Sequence, residues 1–362
     1  MLSLLRRSKG GNTLWRQYLF TIPATRTVEK RTRLYATKVV LGIETSCDDT
    51  SAAIVTSDRT ILSEVVKSQQ EMHEPMGGIV PTLASLGHSR HLPSVICETL
   101  DRAKLTIADI DAIAVTRGPG LPPCLPVGLN AAKTLAAVSK KPLIGVHHME
   151  AHALTARLTT PTPFPFMTLL ISGGHTLLLT ANGLGDYDQL GTTLDTAVGE
   201  AIDKTARALE LEWNGSSPGP ALERAAAKGD PDRFQLPTPM LQRNKSVIAF
   251  SFSGLKTSVA RLAQEQIKTP QDTCDVAAAF QMTCIRHIEQ KLKLALHQEM
   301  TMNKKPLTAL VVMCPPPKLC TDNGVMIAWA GLERFQAGLT DDYTITTLPK
   351  WPIESLKERS SS

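Results

Sequence analysis

Two stretches of this chain repeat one pattern, and the repeat constrains the fold more than any other feature. Val39-Val40-Leu41-Gly42-Ile43-Glu44 is an apolar, β-branched run. It enters the polar turn Thr45-Ser46-Cys47-Asp48-Asp49-Thr50-Ser51 and returns as Ala52-Ala53-Ile54-Val55. Phe166-Met167-Thr168-Leu169-Leu170-Ile171 likewise enters Ser172-Gly173-Gly174-His175-Thr176 and returns as Leu177 to Thr180, with Asn182-Gly183 as the next turn. Each stretch has the length and composition of a strand, a turn and a second strand. The recurrence predicts a duplicated architecture of two lobes, each opening on a hairpin whose loop faces a shared cleft.

The chain between and after the repeats fills in that plan. Ile61 to Ser68 reads as a third strand after the Asp58-Arg59 turn. Residues 82–103 carry helical spacing (Leu83, Leu86, His91, Val95, Leu100), and His88 and His91, at i and i+3, read as solvated or structural. Ile110 to Val115 is a buried-type strand that ends in the Gly/Pro-rich loop 117–123. A small-residue helix over 127–138 and a strand over 143–146 follow. Strands alternating with helices indicate an α/β domain. In the second half a helix is expected over 197–211, broken by Pro218-Gly219-Pro220 and resumed over 221–228. Further helices are expected over 258–267 and 272–300, then a strand at Leu307 to Val312. A last helix runs from Val325 to Leu332, with Asp322 or Thr321 as its N-cap. The tail from 336 is polar and shows no element.

Three local features can carry chemistry. The Ser/Thr/Asp loop around Ser46, Asp48 and Asp49 could offer donors to phosphate, or be only a turn. Ser172-Gly173-Gly174 lets backbone amides approach an anion, and a plain glycine hairpin stays equally open. His148 and His152 stand four apart, so on a helix both imidazoles project from one face. That arrangement can offer two nitrogens to a transition metal, and a packed or solvated pair is the competing reading. Glu150 lies between them and points elsewhere, unlike the HExxH helix of zinc proteases.

Composition narrows the class. Hydrophobic residues make up 42%, a globular value. Seven cysteines form no CxxC pair, which argues against a disulfide framework or a zinc ribbon. No run approaches a membrane span. Eight of the basic residues precede Lys38, with Glu29 the only acid there, and residues 1–37 read as a mitochondrial transit peptide. A basic arm for nucleic acid or membrane is the alternative. Without it the chain has 31 basic and 33 acidic residues. A nucleic-acid partner would then need a local basic patch.

In order along the chain stand Gly42 to Thr50, Thr116-Arg117-Gly118-Pro119-Gly120-Leu121, and His148 to His152. Ser172 to Thr176, Gly199-Glu200-Ala201-Ile202-Asp203-Lys204, Phe250 to Thr257 and Thr321-Asp322-Asn323 follow. This series closely resembles the universal tRNA threonylcarbamoyladenosine synthase family, formerly the O-sialoglycoprotein endopeptidase family, over about 39–335; the leader points to its mitochondrial member. The resemblance implies a two-lobed actin/Hsp70/sugar-kinase-like (ASKHA) α/β fold with a duplicated βββαβαβα core. The first lobe would span 38–150, the second 151–335, and a polar tail 336–362. It implies transfer of a threonylcarbamoyl group from threonylcarbamoyl-AMP to N6 of the adenosine 3′ of the anticodon, in tRNAs reading codons that begin with A. It implies one divalent ion, iron or zinc, on His148, His152 and Asp322. Leu170, Ile171, Ser172, Gly173 and Gly174 would contact the donor's phosphate and acyl part. Asp203, Gly219 and Glu223 would hold its nucleotide, and the loop with Ser46, Asp48 and Asp49 would face metal and phosphates. Partners would be tRNA, a second copy as a homodimer, and a separate synthase that makes the donor, with no membrane.

Two departures from the family pattern stand out. The Pro-Gly-Gly-Pro loop reads Ser217-Pro218-Gly219-Pro220 here. After Leu310-Val311-Val312, a Ser-Gly-Gly-Val-Ala-x-Asn loop, a helix and a strand are absent before Pro315, about 30 residues or more. A splice form or gene-model variant keeping only tRNA or partner binding is therefore a second reading. A metalloendopeptidase is a third.

Overall fold

The structure is a computed structural model that describes residues 37–76, 78–213, 217–240, 247–302 and 315–357. The expected leader (but for Thr37), the strand expected at Leu307 to Val312 and most of the Val312–Pro315 junction lie outside the described residues.

The first lobe is built on a five-stranded sheet of order β3-β2-β1-β4-β5. β1 (Val39–Glu44), β2 (Thr50–Thr56) and β3 (Ile61–Lys67) form an antiparallel meander. β4 (Ala112–Gly118) and β5 (Leu143–His147) extend it in parallel from β1. A short turn α1 (Gln70–His73) precedes α2 (Pro81–Ala103), and α3 (Leu125–Ser139) links β4 to β5. Both faces of the sheet are covered, which explains its nearly continuous apolar strands. Leu41, Ile43, Ile54, Ile113 and Val115 pack on α2 and α3, while Val40, Ala53, Val55, Ala112, Ala114, Ile144 and Val146 face the other way. α4 (His148–Thr159) follows β5 without a loop and completes one βββαβαβα unit.

The second lobe opens on an antiparallel sheet of β6 (Phe166–Ile171), β7 (Thr176–Gly183) and β8 (Asp186–Thr192). α5 (Val198–Ala208), α6 (Pro218–Ala226), α7 (Ser253–Glu265) and α8 (Pro270–Met302) pack around one apolar cluster beside it. The Asn182-Gly183 turn expected from sequence is part of β7; the chain reverses at Gly185, in the left-handed region at φ 70°. Pro218-Gly219-Pro220 does not break a helix but begins α6. Proline suits a first turn because its missing N–H has no intrahelical partner there.

The largest difference from the sequence expectation concerns α9 (Gly324–Gln336). Expected in the second lobe, it packs on the free face of the first sheet, with Gly324 through Glu333 buried. Small residues permit this. A Cβ on Gly42 would lie 2.3 Å from the Ala328 nitrogen, and one on Gly324 would lie 2.5 Å from the Ala52 carbonyl carbon. Helix and sheet thus meet backbone to backbone. The tail is also ordered rather than featureless. Asp341 pairs with Leu143 at the edge of β5, and Trp351, Ile353 and Leu356 are buried between α4 and the second sheet.

Candidate metal centre

β5 runs straight into α4, so the first residue of the helix, His148, sits at the carboxyl end of a parallel strand, where α/β folds place their sites. His152 follows one turn later on the same face, 3.3 Å away between the two Nε2 atoms. Asp322 arrives from 170 residues further on. Its Oδ1 lies 3.0 Å from His152 Nε2 and 3.4 Å from His148 Nε2. One ligand atom from each of the three lies within 4.8 Å of the others. Asp322 is not the cap of α9, as expected from sequence; Asn323 is, accepting from the Met326 amide at 2.8 Å. The aspartate is thereby left to face the histidines.

Asp322 reaches them through the first lobe alone. α9 and β5–α4 share one sheet, and α4 also packs on α9 directly. Arg157 donates to both carboxylate oxygens of Glu333, at 2.9 and 3.0 Å. Arg334 donates to Glu150 Oε2 at 3.1 Å, and the Gly185 amide donates to Glu150 Oε1 at 2.8 Å. Glu150 is therefore occupied as a buried tie between α4, α9 and the β7–β8 turn, away from the histidines.

Behind His148 stands Glu44, a residue the sequence motif contains but did not single out. It is fully buried at the end of β1, accepts from the Ser46 amide and from the Thr116 hydroxyl, and lies 3.3 Å from His148 Nδ1. Ser46 Oγ is at 3.3 Å from the same nitrogen. Burial opposes charge on His148, but Asp322 and Glu44 on its two sides hold its pKa well above the usual imidazole range. Burial would raise Asp322, yet His148 beside it holds the carboxyl well below its ordinary value. Two imidazole nitrogens and a carboxylate oxygen converging on one point, with a carboxylate behind one imidazole, form a donor set suited to a divalent ion of the iron or zinc type.

The polar loop after β1 sits at the same place. Thr45 donates to the Cys124 carbonyl, and His88, a structural residue, engages Thr50 Oγ1 at 2.8 Å and the Cys47 carbonyl at 3.1 Å. Asp49, partly buried, has its pKa pushed up to about 6 by burial and then by Asp48. The turn after β6 closes on itself: the His175 amide donates to Ser172 Oγ at 3.0 Å. Burial, followed by His148 and His152, holds the His175 imidazole below its ordinary pKa. Leu170 is buried in β6 with Ile171 at its end, whereas Gly173 and Gly174 are exposed and a Cβ on either would touch nothing within 4 Å. The turn also rests on the start of α5, where a Cβ on Gly199 would lie 2.4 Å from the Ser172 oxygen. Asp203 follows one turn along α5, its carboxyl raised by burial. Gly219 on α6 approaches the neighbouring Ile202, and Glu223 lies one turn further along α6. The structure thus brings Ser46, His148, His152 and Asp322 together, and sets Asp203, Gly219 and Glu223 on α5 and α6, the two adjoining helices of the second lobe.

His147 caps α4 with its side chain and was also missed from sequence. Burial pushes its pKa down to about 3. A histidine cap has no sequence signature; the usual capping residues are Ser, Thr, Asp and Asn.

A family model for tRNA N6-adenosine threonylcarbamoyltransferases (TsaD) matches residues 60–329. The tRNA N6-adenosine threonylcarbamoyltransferase of Brucella anthropi is 43% identical over 346 residues, covering 87% of this chain and 95% of that protein. The protein of the same name from Sphingopyxis alaskensis is 44% identical over 341 residues, covering 88% and 97%. A probable mitochondrial tRNA N6-adenosine threonylcarbamoyltransferase of Arabidopsis thaliana is 43% identical over 373 residues, covering 90% and 77%. With identity of this order running nearly the length of the bacterial relatives, the chain belongs to the tRNA N6-adenosine threonylcarbamoyltransferase family.

Proposed function

We propose that this chain transfers a threonylcarbamoyl group from threonylcarbamoyl-AMP to N6 of the adenosine 3′ of the anticodon, in mitochondrial tRNAs reading codons that begin with A. The observation that carries the proposal is the convergence of His148, His152 and Asp322 on one point. The donor is a mixed anhydride, so the adenosine amine adds to the carbamoyl carbon, the bond to the phosphate oxygen breaks, and AMP leaves with that electron pair. The adenosine N6 gives up one proton. The chain's task is to hold amine and anhydride together and to favour charge on the departing phosphate. Leu170, Ile171, Ser172, Gly173 and Gly174 would bind the donor's phosphate and acyl part through backbone amides. Asp203, Gly219 and Glu223 would hold the nucleotide, the carboxylates on ribose hydroxyls. A divalent ion on His148, His152 and Asp322, iron or zinc, would supply Lewis-acid polarisation and phosphate neutralisation. Ser46, Asp48 and Asp49 would line the phosphate side.

The proposal includes a matrix location, supported by the basic leader and the likeness to the Arabidopsis protein. It includes a homodimer and a separate synthase that supplies the donor. No helix among the described residues is long and apolar enough to cross a membrane. A peptidase role is disfavoured because Glu150, the one acid between the histidines, is engaged by Arg334 and Gly185. The family-pattern segment that this sequence lacks before Pro315 favours one alternative: a form that binds tRNA or partners but transfers poorly. The test incubates purified chain with transcript tRNA and threonylcarbamoyl-AMP and reads modified adenosine by nucleoside mass spectrometry. Metal-dependent product is expected. No product, with activity in a version restored at the Val312–Pro315 junction, establishes the alternative.

A further inference from the structure

The C-terminal segment, polar and featureless in sequence, lies along the outer edge of β5 and touches alternate residues of that strand. The Asp341 amide donates to the Leu143 carbonyl at 2.8 Å. The Gly145 amide donates to Asp341 Oδ2 at 2.8 Å. The third contact uses a side chain: His147 Nε2 donates to the Trp351 carbonyl at 2.9 Å. The segment is tied to the Thr116–Leu121 loop as well. The Leu348 amide donates to the Arg117 carbonyl at 2.9 Å, and the Gly120 amide donates to the Pro349 carbonyl at 3.3 Å. Beyond it, Trp351, Ile353 and Leu356 are buried against Met149 and Ala153 of α4 and against the second sheet.

His147 joins this strap to the metal helix. Its other nitrogen, Nδ1, accepts from the amides of Met149 at 3.2 Å and Glu150 at 3.3 Å. Amides only donate and a carbonyl only accepts, so the ring is fixed as the neutral tautomer with its proton on Nε2. The imidazole is 1% exposed and its centroid is 4.7 Å from the Trp351 ring, so it has no room to turn over. We infer that His147 is a positioning residue for the metal ligands, and that through it the 339–357 strap sets the direction in which α4 presents His148 and His152. The adjacent residue on the chain is a ligand, and the second ligand is one turn on. A small rotation of the first turn of α4 therefore moves both Nε2 atoms relative to Asp322, which is held independently by α9. This inference rests on the metal reading proposed above.

Two variants separate the halves of the linkage. In His147→Asn the side-chain oxygen falls near the position of Nδ1, so the helix cap is kept and the bond to Trp351 is lost. In His147→Gln the amide nitrogen falls near the position of Nε2, so the bond to Trp351 is kept and the cap is lost. Co²⁺ titration of the full chain, followed by visible absorption, reads affinity and ligand geometry without any turnover. Far-UV circular dichroism reports folding. Outer-shell partners of metal ligands typically alter affinity by about 10–100-fold. The expected result is a Co²⁺ Kd raised about tenfold or more in His147→Asn, with an altered spectrum in a folded chain and partial recovery in His147→Gln. Wild-type affinity and spectrum in both folded variants would overturn the inference alone. A wild-type chain that takes up no Co²⁺ would overturn the metal reading and this inference with it.

Discussion

Gly42→Ala tests whether the contact between α9 and the first sheet delivers Asp322 to His148 and His152, the proposed metal ligands. The added methyl would lie 2.3 Å from the Ala328 nitrogen, 2.5 Å from the Gly324 oxygen and 2.7 Å from the Ala328 Cα. All three are backbone atoms, so no side chain can swing aside. Restoring ordinary contact requires α9 to lift from the sheet by about 1 Å in a core packed at crystal density. Overpacking of this kind costs about 1–3 kcal/mol, and the backbone partners place Gly42→Ala at the upper end, about 3 kcal/mol. Domains of ordinary stability survive such a loss. The site should not, because Asp322 stands two residues before Gly324 and its 3.0 Å contact to His152 would open by a similar distance. Losing part of one ligand's interaction, about 1.4 kcal/mol, corresponds to tenfold in metal affinity. Urea denaturation should show the lower midpoint, and Co²⁺ titration at a urea concentration of zero should show affinity reduced about tenfold or more. A variant with native midpoint and native affinity would refute the claim that this close approach positions the aspartate. Lower stability with native affinity would show that Asp322 is held by some other part of the chain.

Further substitutions probe other parts of the molecule. Gly173→Ala adds a methyl that meets nothing within 4 Å, so thermal stability should stay within about 0.5 kcal/mol while the KM for donor rises; an unchanged KM would remove this turn from the donor site. Glu150→Ala removes the buried carboxylate from the half-buried Arg334 and should cost about 3 kcal/mol in chemical denaturation with metal content retained, whereas loss of metal in a folded variant would make Glu150 a ligand. His287→Gln concerns acid stability. Burial, followed by Lys291, lowers the His287 pKa to about 4, and its Nε2 accepts from the Ser251 amide at 3.3 Å. The folded state therefore prefers the neutral ring; its contribution is complete above about pH 6.5 and is lost as pH falls toward 4. The glutamine retains an acceptor without a titration, so between pH 7 and pH 4 the wild type should lose about 2 kcal/mol more than the variant; parallel stability curves would contradict the assignment.

What was legible in the sequence is local or family-borne. The apolar runs with polar turns at 39–55 and 166–180 correspond to β1–β2 and β6–β7, because strand content is written in adjacent residues. The four-residue spacing of His148 and His152 predicted a common face because a helix repeats every 3.6 residues. β8 was not legible: Tyr187 and Leu190 are its only large apolar residues, and its pairing with β7 uses backbone groups. The strap beyond α9 was not legible for the same reason, since its contacts with Leu143 and Gly145 run through amides, carbonyls and one carboxylate rather than an apolar period.

The sequence by itself determined which residue types could form a site: two imidazoles one turn apart, an Asp-Asn pair before an apolar helix, and a glycine turn after a strand. Only the tertiary structure decided that Asp322 meets those histidines from the first lobe, that Asn323 rather than Asp322 caps α9, that Glu44 stands behind His148, and that His147 caps the helix carrying both. The physical reason is that these relations depend on how closely two backbones approach. At Gly42, Gly324 and Gly331 that distance is set by side chains that are not there, and an absent atom leaves no periodicity to read.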